Sequence, residues 1–327
     1  MEGGKGLVCV TGGTGFIASW LIMRLLESGY TVRATVRPDP ERKKDISYLT
    51  NLPGAAEKLQ IFYADLEKPD SFNEAIQGCS GVFHLAHPVE FSDKEQEEAV
   101  TKRSVEATIG ILKACIDSKT VKRVVYTSST TAVLFSGNGQ EMVDESAWTD
   151  VDLFRSANLM ATSYVAAKTK TERAAIEFAE ENGMDLVTVV PSLVVGSFIC
   201  SRVPSSVYMG LALILGNKDQ YSFLIKSSMV HVDDVARAHI FLFECPNAKG
   251  RYICSSDEIL LNEMSEFLSA RYPHLQIPTP DSLKDIKGYE ICSISSKKLL
   301  DCGFTYQHGL GDMFDGAIQS CKEKGLI

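Results

Sequence analysis

Nine cysteines are scattered singly through this 327-residue sequence, with an odd total and no Cys-x-x-Cys pair. That usage excludes a disulfide framework and suits a reducing compartment, so a cytoplasmic location is expected, with thiols such as Cys9 serving as small core residues. Cations are scarce as well. Lys and Arg number 33 against 42 Asp and Glu, leaving a net charge of −9. Nucleic-acid binding needs a clustered cationic excess, so no such partner is expected. The one basic cluster, Arg42 to Lys44 beside Glu41, reads most simply as a solvated helix face. The opening Met1–Gly6 is too short and polar for a signal peptide, and the apolar stretch after it is cut by Thr11–Gly15, so no membrane partner is expected. Internal repeats, low-complexity tracts and long linkers are absent.

What is present is a rhythm. Short β-branched runs at 7–11, 31–36, 59–63, 82–85, 123–127 and 186–190 alternate with helical patterns near 16–28, 71–77, 95–117 and 163–181. Such alternation requires right-handed crossovers and a parallel sheet covered on both faces, and the continuous apolar strands agree. After Pro191 the pattern becomes helical, near 205–215, 233–243, 261–271 and 313–323, with Pro- and Gly-containing loops between. The expectation is a cofactor-binding domain over 1–190 and, over 191–327, mainly a smaller substrate-binding lobe above the carboxyl ends of the strands.

The first strand runs into Thr11-Gly12-Gly13-Thr14-Gly15-Phe16-Ile17-Ala18, a glycine-rich turn that opens a helix. Gly12 permits the tight turn, Gly15 lets a pyrophosphate approach the backbone, and Ala18 keeps helix and strand close. The helix opening at Phe16 and Ile17 presents free N–H groups to the phosphates. At the end of the second strand, where NAD enzymes usually carry an acid, stands Arg37, with Lys44 one short loop later. Two cations there favour a 2′-phosphate, hence NADPH/NADP+. Asp39 leaves NAD as the weaker reading, and Asp65 with Leu66 is placed to reach the adenine edge.

Tyr164 and Lys168 are spaced i, i+4 in a helical pattern, which puts phenol and ammonium on one face. A tyrosine normally titrates near ~10, and a neighbouring ammonium is expected to lower that value and make it a usable acid. The strand at 123–127 ends in Ser128 and Ser129. Ser129 is expected to bond a substrate carbonyl oxygen and Ser128 to line the nicotinamide. The set predicts hydride transfer to a carbonyl carbon with Tyr164 as proton donor and Ser129 stabilising the oxygen, and the reverse oxidation with tyrosinate as base.

With these motifs in order the chain resembles an extended short-chain dehydrogenase/reductase, and more closely the plant dihydroflavonol reductase-like branch, near vestitone reductase and noscapine synthase-like enzymes. The segments carrying the resemblance run nearly end to end: Arg33–Arg37, Ala64–Leu66, Gly81–His84, Lys119–Arg123, Val194–Gly196, His231–Asp234, Arg251–Ser256 and Lys322–Gly325. It implies a Rossmann-type doubly wound α/β fold, a monomer and a small-molecule substrate. It further implies that Arg37 and Lys44 hold the 2′-phosphate, that Asp65 and Leu66 meet the adenosine, and that Leu85, Ala86, His87, Pro191 to Val194 and Ser206 line the rest of the cofactor. His231 to His239 is then structural, and no metal is expected.

Three departures bear on substrate. Ala18 replaces the third glycine, as in noscapine-forming relatives. Leu134 stands where flavonoid-reducing members carry a polar residue, which makes dihydroflavonols doubtful substrates. His87 replaces the usual Thr or Ser and either orients substrate, shuttles a proton or simply forms a wall. The cinnamoyl-CoA signature Asn-Trp-Tyr-Cys-Tyr is replaced by Met160–Tyr164. The leading expectation is NADPH-dependent reduction of a ketone on a bulky isoflavanone- or flavonoid-like metabolite. Its alternatives are NAD(P)+-dependent oxidation of an alcohol or hemiacetal in alkaloid metabolism, and a non-catalytic NADP-binding scaffold or sensor.

Overall fold

The computed structural model describes residues 4–39, 41, 45–88, 96–136, 139–156, 161–288 and 291–326. Its frame is a seven-stranded, all-parallel sheet built from β1 (Leu7–Thr11), β2 (Thr31–Val36), β3 (Leu59–Tyr63), β4 (Gly81–His84), β5 (Arg123–Thr127), β6 (Leu186–Pro191) and, from far along the chain, β9 (Gly250–Cys254). The spatial order is β9-β6-β5-β4-β1-β2-β3, so the direction of winding reverses between β1 and β4. The carboxyl ends of the strands flanking such a reversal diverge and leave a crevice, the preferred ligand position in this architecture.

Helices α1 (Phe16–Glu27) and α4 (Val232–Glu244) cover one face. Helices α2 (Glu97–Ser118) and α3 (Thr162–Glu181) cover the other. On α1 the fully buried Leu21, Ile22 and Leu25 recur at helical spacing, and each contributes about 1.5–3 kcal/mol by leaving water. Every residue of β5 is buried, as a central strand with both faces covered requires.

The smaller lobe has its own core and a three-stranded sheet, β10-β8-β7, from β7 (Leu193–Val195), β8 (Lys226–His231) and β10 (Asp257–Leu260). Helices α5 (Leu261–Arg271) and α6 (Leu310–Glu323) pack on it. The lobe is not one continuous stretch, because α4 and β9 return to the large sheet layer before β10 and α5 re-enter the lobe. The fold is the doubly wound α/β arrangement expected, and all six early strands lie within one residue of their predicted bounds. The nine cysteines are free. No helix among the described residues is long and apolar enough to cross a membrane.

Candidate active site

The glycine turn after β1 is shaped by a contact that leaves no room for a side chain at Gly12. Gly12 has φ 71°, and a Cβ there would lie 2.9 Å from Ala86 Cα. Gly13 N–H donates to Thr35 O at 2.8 Å, and Gly15 N–H to Gly12 O at 2.8 Å. The side chain of Thr11 joins β1 to β4: its oxygen accepts the Leu85 and Ala86 N–H groups, both at 3.0 Å. Its own proton therefore goes to His84 Nδ1, 2.8 Å away, and His84 Nε2–H donates to Thr108 Oγ1 at 3.2 Å. Burial, with Lys168 nearby, brings His84 down to about 3, so it stays a neutral link in this chain. Leu85 and Ala86 are thus pinned by Thr11, with Ala86 against the glycine turn.

Helix α1 begins at an N-cap, Gly15, with no side-chain cap and no acid in the first turn. Its opening N–H groups, with Phe16 and Ile17 leading, have no intrahelical acceptor and carry the positive end of the helix dipole. A cradle walled by glycine, open at a helix start and free of competing carboxylates, fits the diphosphate of a dinucleotide. Arg37, just past β2, is two-thirds exposed, and its Nε is 3.8 Å from Asp65 Oδ2. Asp65 Oδ1 accepts the Glu67 N–H at 3.1 Å, so this carboxylate also holds its own turn. Leu66 packs against the core on that side. Lys44 and Met160 lie outside the described residues.

At the end of β5 the predicted chemical groups come together. The Ser129 hydroxyl lies close enough to the Tyr164 phenol to favour its ionised form. Lys168, one turn along α3 and 6% exposed, donates from Nζ to Thr127 O at 3.1 Å. Ser129 caps a short 3-10 turn by accepting Thr131 N–H at 3.3 Å. Two expectations need correction. Burial raises the Tyr164 phenol above its ordinary value and the Ser129 hydroxyl opposes it only in part, so Lys168 does not make it acidic. The reason is direction: the Lys168 ammonium points to the Thr127 carbonyl and the Tyr126 ring, and burial lowers its own pKa to about 8. Second, the Ser128 hydroxyl does not face a cleft, because it donates to Glu172 Oε2 at 2.6 Å.

Glu172 was not foreseen. It is fully buried and takes two bonds from Arg251, Nε to Oε1 at 2.9 Å and an Nη to Oε2 at 3.1 Å. Arg251 in turn stacks on Trp148, 3.7 Å from the ring centroid, and donates to the carbonyls of Glu145 and Ala147. Nearby charge from Glu172 opposes the burial that lowers Lys168. The available signal was the spacing Tyr164, Lys168, Glu172, three polar groups on one helix face.

The remaining residues are more dispersed. Pro191 ends β6 and is buried beside Cys254 of β9. Val194 is 5% exposed within the core, paired with Val230. Ser206 is half-buried in the short helix Ser205–Gly210. Leu134 packs beside Val133, Val190 and Ile253. His87 meets the Tyr164 ring edge-on, centroids 6.2 Å apart. His231 caps α4 by accepting Asp233 N–H, and His239 donates from Nδ1 to Val235 O and accepts the Thr127 hydroxyl proton at 2.7 Å. Both are structural. No group of three or more metal-ligating side chains occurs among the described residues.

A protein-family model, the NAD dependent epimerase/dehydratase family, matches residues 8–254. The chain belongs to this family. It is 54% identical to vestitone reductase of Medicago sativa over 100% of both chains. It is also 54% identical to Protein BRI1-5 ENHANCED 1 of Arabidopsis thaliana, covering 98% of this chain and 90% of that one. With dihydroflavonol 4-reductase of Zea mays it shares 46% identity over 99% of this chain and 90% of the relative. The crystal structure of vestitone reductase from alfalfa superposes with a TM-score of 0.90 at 52% identity, covering 99% and 100% of the two chains. Within the family the chain therefore sits in the plant dihydroflavonol reductase-like branch of extended short-chain dehydrogenases/reductases, as the motifs implied. It is an oxidoreductase of that class, and an NADP-type dinucleotide is its cofactor.

Proposed function

We propose that this protein reduces a ketone on a bulky, isoflavanone- or flavonoid-like plant metabolite, taking hydride from NADPH and a proton from Tyr164. The observation that carries the reading is the grouping of Tyr164, Ser129 and Lys168 at the carboxyl end of β5, on the crevice side of the sheet. Two neighbouring hydroxyl groups can both donate to one acceptor oxygen. A substrate carbonyl in that position meets a proton donor and a second donor for its developing charge. The dinucleotide, when bound, supplies the hydride. Burial raises the Tyr164 pKa further above neutrality, so the phenol holds a proton to give. Lys168 brings positive charge one turn away, with Glu172 behind it. Leu134 supplies an apolar contact for a ring system.

Support for the substrate class comes from the 54% identity to vestitone reductase over the whole chain. The test is NADPH oxidation with a panel of isoflavanones and flavanones, against NAD(P)+ reduction with alcohols and hemiacetals. Ketone turnover is expected, with Tyr164→Phe reducing kcat by about 10²–10⁴-fold. Full activity of the Phe variant would overturn the role of Tyr164. Oxidation of alcohols with no ketone turnover would overturn the direction.

A further inference from the structure

His87 sits three residues past the end of β4 and directly follows Leu85 and Ala86, whose N–H groups Thr11 holds. Its Nε2 atom is buried and, among the described residues, has no hydrogen-bond partner. Its ring stands edge-on to the Tyr164 phenol at 82°. Burial first, then the charges of Lys168 and the nearby His84, keep the imidazole neutral, well below its ordinary titration. A neutral ring offers Nε2 as either a donor or an acceptor, according to its tautomer. The result is an unsatisfied polar atom beside the proposed proton donor, a site that gains when a ligand completes it.

We infer that His87 is a specificity-determining residue whose Nε2 pairs with a hydroxyl group that the substrate carries close to its reducible carbonyl. This rests on the reductase reading above. The placement fits, because a substrate oxygen that reaches the Tyr164 hydroxyl comes in beside the His87 ring, which stands edge-on to the Tyr164 ring. The chemistry fits, since a hydroxyl both donates and accepts and so satisfies Nε2 in either neutral tautomer. A ketone lacking that hydroxyl leaves Nε2 buried and unpaired, and sites built around such a bond reject the analogue lacking it.

The experiment uses a matched pair of isoflavanones, one bearing a hydroxyl on the ring adjacent to the carbonyl and one with hydrogen there. The protein is compared with His87→Phe, which keeps the ring, and His87→Gln, whose amide reaches a similar point. The wild-type protein should favour the hydroxylated ketone in kcat/KM by at least about tenfold. In H87F that ratio should fall tenfold or more, with H87Q recovering part of it, while nicotinamide fluorescence reads the Kd for NADPH of each variant alongside. An unchanged ratio in H87F overturns the inference. So does a weakened Kd for NADPH at constant ratio, which would assign Nε2 to the dinucleotide. If wild-type protein binds NADPH but reduces neither ketone, the reductase reading fails, a result distinct from either of these.

Discussion

Ser128 donates its hydroxyl proton to Glu172 Oε2 across 2.6 Å, and this bond ties the strand that ends in Ser129 to the helix that carries Tyr164 and Lys168. Arg251, from β9, grips the same carboxylate with two nitrogens. The end of β5, the helix α3 and the strand β9 are thus fixed to one buried charge, and the proposed chemical groups inherit that geometry. A buried charge is costly to desolvate, so the arrangement holds only while both partners and their hydrogen bonds are present.

Glu172→Gln should therefore lower stability by about 3–5 kcal/mol, because it leaves the Arg251 guanidinium buried without its counter-charge. Chemical denaturation checks the loss. The same change removes the negative charge that opposes the burial of Lys168, so the lysine, now near about 8, should lose its proton at lower pH. The basic limb of the pH–activity profile should shift down with it; an unmoved limb would uncouple the two residues.

The glycines of the opening turn should separate folding from binding. Gly12→Ala puts a methyl group 2.9 Å from the Ala86 backbone at φ 71°, so the backbone must move, at a cost of about 1–3 kcal/mol. Gly15 has φ −73°, and a Cβ there meets nothing closer than Gly12 O at 3.2 Å. Gly15→Ala should melt within a few degrees of the wild type yet bind NADPH at least about tenfold more weakly, since it obstructs the diphosphate approach. Thermal melts paired with fluorescence titration give both numbers.

Arg37, just past β2 and mostly exposed, is the cation we propose for a 2′-phosphate. Arg37→Ala should lower kcat/KM for NADPH by roughly ten- to hundredfold, the worth of a charge-assisted bond, and leave that for NADH nearly unchanged. Equal losses with both cofactors would remove Arg37 from phosphate recognition.

Buried neutral histidines should make the fold acid-sensitive. His84 is pushed down to about 3, and His231 and His239 to about 4, in each case mainly by burial. The unfolded chain takes up these protons near pH 6.5, whereas the folded chain resists until about pH 4 or below. Stability is therefore fully present above pH 6.5 and falls as the pH drops from there towards 4. Melting temperatures measured from pH 7.5 to 5 should decline over the lower part of that range, and a flat series would contradict the assignment.

Much of this was legible in advance because it is local. The β-branched runs, the glycine turn and the Tyr164–Lys168 spacing are short-range patterns, and the early strands and long helices followed them closely. Beyond Pro191 the reading was coarser. The strands β8, β9 and β10 escaped it, as did the return of α4 and β9 to the large sheet layer, since those pairings join residues far apart in sequence. The fate of Ser128 was misjudged for the same reason: nothing near it in the chain signals an acceptor 44 residues on.

The sequence by itself determined the class of fold, the phosphate cradle and the identity of the hydroxyl and amine groups, because periodicity and spacing along one strand or helix decide those. Tertiary structure alone decided their electrostatics. Whether the Tyr164 phenol becomes more or less acidic depends on how much water packing removes and where the Lys168 ammonium points. Likewise, the partnership of Glu172 with Arg251, 79 residues away, exists only once β9 lies beside β6.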